Sequence, residues 1–140
     1  MKQLFSLLQK YWLLTTTVII IPITVLSLYV FSNLIHIPGN DKFNHFLAYT
    51  VLAFPIALAK PKYWLFLLSG LFIYSGVLEC GQYFIGRHTE WLDMFANGCG
   101  ITTASITAWL VNWLFFTKKP KFGGMNLKVK ESSQVTIKFR

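Results

Sequence analysis

Eight residues in the middle of the chain hold most of its capacity for chemistry: Asp41, Lys42, His45, Glu79, Gln82, Arg87, Asp93 and Asn97. Helical spacing sorts them into stripes. Asp41 and His45 are one turn apart and share a face with Ala48, Tyr49 and Leu52. Ser75, Glu79, Gln82, Tyr83 and Gly86 make a second stripe. Asp93, Asn97, Gly100 and Ala104 make a third, polar at one end and small at the other, which lets helices approach closely. A histidine one turn from an acid either serves as a general base or ties down a helix start. His45, Glu79 and Asp93 are therefore the candidate catalytic residues. Arg87 and Lys42 suit a phosphate or carboxylate ligand, and internal ion pairs to Asp93 or Glu79 are the structural alternative. In a packing role Glu79 would be satisfied by Gln82, Arg87 or Asn97, and Asp93 with Asn97 would form the first turn of a helix.

Other chemistries lack their motifs. His45, Asp41, Glu79 and Asp93 are metal-ligating types, but no compact pattern such as H-E-x-x-H is present, so neither a metal centre nor a cofactor is expected. There is no Gly-x-Ser-x-Gly elbow, Cys-x-x-Cys pair, P-loop or dinucleotide fingerprint. Cys80 follows Glu79 directly and so points about 100° away from its stripe, which disfavours a disulfide to Cys99.

The elements that must position these residues follow from the distribution of charge. Of 140 residues 54% are apolar and 13% charged, about half the usual ~25% for charged residues. That balance argues against a water-soluble globule, and the 24 aromatic residues exclude a disordered chain except at the tail. Tyr11 to Ile35 is a 25-residue run without a charge, too long for the core of a cleaved signal peptide, in which Pro22 should introduce a slight bend. A breaker cluster from His36 to Asp41 then separates it from a second apolar segment, 41–59, stopped by Lys60-Pro61-Lys62. A third segment covers 63–85 and a fourth 91–116. Their polar ends make a bare hydropathy window undercount them. The fold class expected is all-α: a four-transmembrane-helix bundle over 1–117, followed by a basic, flexible cytoplasmic tail over 118–140.

Four spans put eleven of the thirteen Lys and Arg residues on the side of the termini and the Lys60–Lys62 loop, and leave Lys42 and Arg87 on the other. The positive-inside rule then places both termini in the cytoplasm, in a cytoplasmic (inner) membrane. Tyr11, Trp12, Tyr63, Trp64 and Trp113 fall near the same inner interface. The net charge of +8 resides mostly in the tail, where its economical partner is the anionic inner leaflet and not nucleic acid. The three polar stripes fall at similar depth toward the outer side. Unpaired intramembrane carboxylates are costly, so the stripes are expected to face one another in a single cluster open to the outer surface.

The pattern Asp41-Lys42-x-x-His45-x-x-x-Tyr49, then Glu79-x-x-Gln82, then Gly86-Arg87-x5-Asp93-x-x-x-Asn97-x-x-Gly100 resembles the VanZ-like family of small membrane proteins. The resemblance covers about Lys42 to Ala104. It departs at Ile85-Gly86, where the family often has a proline-containing turn, and at Cys99. It implies a cell-envelope protein of a family whose prototype is associated with teicoplanin resistance. Three readings follow. In the first, Asp41, Lys42, His45, Glu79, Gln82, Arg87, Asp93 and Asn97 bind an anionic or polar group of a lipid, a lipid-linked envelope precursor or a glycopeptide-type ligand. In the second, His45 with Glu79 or Asp93 makes a membrane-embedded enzyme acting on a lipid-linked head group. In the third, the glycine face of the fourth helix packs against a partner, as a homo-oligomer or as a subunit of an envelope complex.

Overall fold

A computed structural model describes residues 1–28, 41–84 and 90–116, and the regular structure among them is entirely helical. The elements are α1 (Lys2–Lys10), α2 (Trp12–Leu28), α3 (Asp41–Ala59), α4 (Trp64–Phe84) and α5 (Trp91–Phe115). The last three have the bounds expected from the apolar segments to within a residue. The expected breaker from His36 to Asn40, the end of the expected first segment, Arg87 and the basic tail lie outside the described residues.

The first segment departs from expectation. Lys2–Lys10, read as a basic lead-in, is a helix in its own right, and α1 and α2 meet at 82°. Tyr11 makes the break: its backbone leaves helical geometry (φ −107°, ψ 27°) while its N–H still closes the last turn of α1 on the Leu7 carbonyl. α1 is two-faced. Phe5 and Leu8 pack toward Ala57, Leu58 and Ala108, whereas Leu4 and Leu7 are exposed. The helix α2 continues through Pro22, so the sharp turn lies at Tyr11 and not at the proline.

At the centre stands α3. Tyr49, Leu52, Ala53, Pro55, Ile56, Ala57 and Leu58 are all buried, a nearly all-round burial that marks a core helix. Tyr49, Leu52, Ala53 and Ile56 pack with Leu68 and Leu71 of α4 and Ile101 and Ala104 of α5, and Ile19, Ile20 and Ile23 of α2 cover the cluster. The closest pairing is between α3 and α5, which run parallel. Gly100 of α5 lies directly against the backbone of Phe46 and Thr50, and Thr50 Oγ1 donates to the Gly100 carbonyl at 3.3 Å. Gly100, Ala104 and Ala108 recur every fourth residue and are all buried, so the small-residue stripe admits α3 along several turns.

The far end of α3 is closed by side chains from two other helices. Past Ala59 the chain turns at Lys60, whose φ of 46° is the left-handed conformation common at helix ends. The Leu58 carbonyl is then one of the four that a helix terminus leaves without an intrahelical donor. Gln9 Nε2 donates to it at 3.1 Å and Asn112 Nδ2 at 3.0 Å, and Gln9 also donates to Asn112 Oδ1 at 2.7 Å. This triangle ties α1, α3 and α5 together. Asn112→Leu removes an acceptor and a donor at a buried carbonyl, and is expected to lower unfolding free energy by about 1–2 kcal/mol in a denaturation series in detergent.

Among the described residues, one helix, α4, is long and apolar enough to cross a membrane on its own; α1 and α2 pass the same test only as a bent pair. The outer surface is nevertheless apolar. Val18, Ile21, Phe66, Ile73, Phe95 and Ile106 are each more than half exposed.

Candidate functional site

Parallel α3 and α5 bring their N-terminal turns to the same end of the bundle, where antiparallel α4 ends. Acids at the start of each helix follow from this, because a carboxylate is favoured beside the positive end of the helix dipole. Asp41 opens α3 and Asp93 lies in the first turn of α5. His45 follows Asp41 by one turn. Asp41, His45 and Asp93 each offer a ligand-type atom, and the three atoms lie within 4.8 Å of one another. From α4, Glu79 Oε1 approaches His45 Nδ1 to 3.6 Å, and both side chains are nearly buried. Asp93 is 4% exposed and Asn97, the next turn along the same stripe, 1%. Asp93 Oδ1 and both amide atoms of Asn97 are buried without a hydrogen-bond partner among the described residues.

The structure separates some residues that the expected stripes put together. Gln82 does not satisfy Glu79: it is buried, and its Nε2 donates to the Ser27 carbonyl of α2 at 3.2 Å. Tyr83 leaves the Ser75–Glu79–Gln82 stripe altogether and is 70% exposed, because it is rotated by one residue from the buried Gln82. At Gly100 the small-residue stripe of α5 meets α3 of the same chain, since a Cβ there would collide with the Phe46 carbonyl oxygen. Cys80 and Cys99 are both free.

At the rim, Lys42 Nζ meets Glu90 Oε2 at 2.6 Å, in a pair that is substantially exposed on both sides. Glu90, just before the first turn of α5 and read from sequence as a solvated loop residue, thus faces the lysine assigned to an anionic ligand. Arg87 lies outside the described residues. Among the described residues, Asp41, Glu79 and Asp93 stand around His45. Two grooves of about 450 and 380 Å³ lie on the α4–α5 side and share Phe72, Gly98 and Thr102. Neither is lined by a residue of the polar cluster.

Single-helix periodicity put each of these residues on an inward stripe but could not say which stripes touch. The clue in the sequence was topological: in an up-and-down order the second and fourth expected spans run parallel, and each begins with an acid. Compared with known proteins, the chain matches no family model, no curated protein and no solved structure.

Proposed function

We propose that the chain is a VanZ-like protein of the cytoplasmic membrane with four spans and both termini inside, whose outward-facing polar cluster binds a polar group of a lipid, an envelope precursor or a glycopeptide-type ligand. The observation that carries this reading is the convergence of Asp41, His45, Glu79 and Asp93 from three helices at one end of a bundle whose exterior is apolar. Buried ionisable groups at the end of an apolar bundle are functional by default.

Two further features support the membrane setting. The exposed threonines Thr15, Thr17, Thr102 and Thr107 each donate their hydroxyl to the carbonyl four residues earlier, which satisfies them without water. At the opposite end from the cluster, Lys10 lies over Tyr11, Lys60 over Trp64 and Lys62 over Tyr63, with the ammonium 5.1–5.4 Å from each ring centroid. Basic and aromatic residues together at one end suit the cytoplasmic headgroup layer. There α1, turned away from α2, would lie in the plane of the interface with Leu4 and Leu7 toward the acyl chains.

With Lys42 engaged by Glu90, the carboxylates around His45 offer acceptors to hydroxyl or amine groups of the ligand. Native mass spectrometry of the protein in nanodiscs containing phosphatidylglycerol, phosphatidylethanolamine or a polyprenyl-pyrophosphate-linked sugar tests this. Retention of one of these at one per chain is the expected result, and equal loss of all three overturns it. The His45–Glu79 approach favours a second reading, an enzyme acting on a lipid-linked head group with His45 and Glu79 or Asp93 as acid and base. A mass change in the retained lipid would select it.

A further inference from the structure

We infer that Asp41, His45 and Asp93 form a binding site for one divalent first-row metal ion, which adds a positive charge to the proposed polar site through which a phosphate can be held. The inference rests on that proposed reading for its role in ligand binding, but the ion site stands on its own geometry.

Sequence alone gave no reason to expect a metal, since the three residues form no local motif. The parallel pairing of α3 and α5 assembles them. Their ligand-type atoms lie within 4.8 Å of one another. Bonds of ~2.0–2.2 Å place donors roughly 3–4 Å apart around an ion, so closing the site requires movements of about an ångström, within reach of side-chain rotation. Two of the three share one helix at a spacing of one turn, which keeps them on the same face.

A second observation points to a ligand. Asp93 is 4% exposed, and its Oδ1 is buried without a hydrogen-bond partner among the described residues. A buried carboxylate oxygen left in this way is costly unless a cation or donor meets it. One turn along the same buried stripe, Asn97 has an amide oxygen in the same condition. Glu79 Oε1 stands 3.6 Å from His45 Nδ1, on the imidazole edge where a carboxylate can orient a metal-binding histidine. The donor set of one imidazole and two carboxylates suits Mn²⁺ or Zn²⁺ better than a soft ion. The cysteines are not part of it: Cys80 is exposed and Cys99 is on neither the Asp93 nor the Asn97 position of the stripe.

The test uses the full chain, purified in detergent, stripped with a chelator and titrated with Mn²⁺ by electron paramagnetic resonance and with Zn²⁺ by calorimetry. One saturable ion per chain is expected for at least one of the two metals. Asp93→Asn should weaken that ion at least ~tenfold, and Asp41→Asn, at the exposed rim, should do the same with the folded yield checked alongside. Cys80→Ser and Cys99→Ser should retain it. Binding that is absent, that is unchanged by Asp41→Asn, or that disappears with the cysteines overturns the inference. Lipid retention measured with and without chelator separates the two proposals. Retention that survives stripping keeps the polar ligand site and removes the ion from its role, whereas stoichiometric Mn²⁺ binding without retention of any lipid keeps the ion and removes the lipid.

Discussion

Gly100→Ala is expected to be the most damaging single-methyl change in the described bundle, costing about 3 kcal/mol or more of unfolding free energy. A Cβ built at Gly100 collides with the Phe46 carbonyl oxygen and comes within 3.0 Å of the Thr50 nitrogen. Both are backbone atoms of a central helix, so neither can turn away. Relief requires α3 and α5 to separate, which breaks the Thr50 Oγ1 bond to the Gly100 carbonyl and opens the contacts of Ala53 and Ala104 in the shared core. Gly70→Ala is the control. Nothing lies within 4 Å of a Cβ there, so relief of glycine's excess backbone freedom should make it neutral or stabilising by about 0.5–1 kcal/mol. Unfolding in detergent, followed by circular dichroism, measures both. Equal stability of the two variants would mean that α3 and α5 do not cross at Gly100.

The second large effect concerns Glu79→Gln, which is expected to abolish retention of the bound polar ligand by at least tenfold, or about 1.4 kcal/mol, while leaving membrane abundance intact. The glutamine keeps the shape and the hydrogen-bonding reach of the carboxylate but loses its charge beside His45. If Glu79 serves only to pack α4 against α3, the amide can replace it and retention stays at the wild-type level. If it is part of the site, the imidazole loses the carboxylate that lies 3.6 Å from Nδ1, and with it the orientation and charge of the cluster. Native mass spectrometry of the retained lipid, read beside the quantity of folded protein, distinguishes these outcomes. Loss of abundance together with retention would place Glu79 in the fold and not in the site.

Much of this molecule was legible before any coordinates. Predominantly apolar runs bounded by His36–Asp41, Lys60–Lys62 and the turn before Trp91 locate three helices, because apolar length and breaker residues act locally. The burial of Glu79, Gln82, Asp93 and Asn97 was equally readable, since a 3.6-residue repeat assigns each residue a face and polar groups among apolar neighbours must turn inward. The partners were not readable. Gln82 reaches Ser27, Glu79 reaches His45, and Lys42 reaches Glu90 across distances in sequence that no helical period contains.

By itself, then, the sequence determined an all-helical chain and the inward direction of its polar stripes, both consequences of local spacing and solvent preference. The tertiary structure decided the break at Tyr11, the central position of α3 and the meeting of Asp41, His45 and Asp93. Each of these depends on how far apart two helices stand and how they are rotated about their axes. Gly100 sets that separation by admitting the backbone of α3 where any side chain would hold it off.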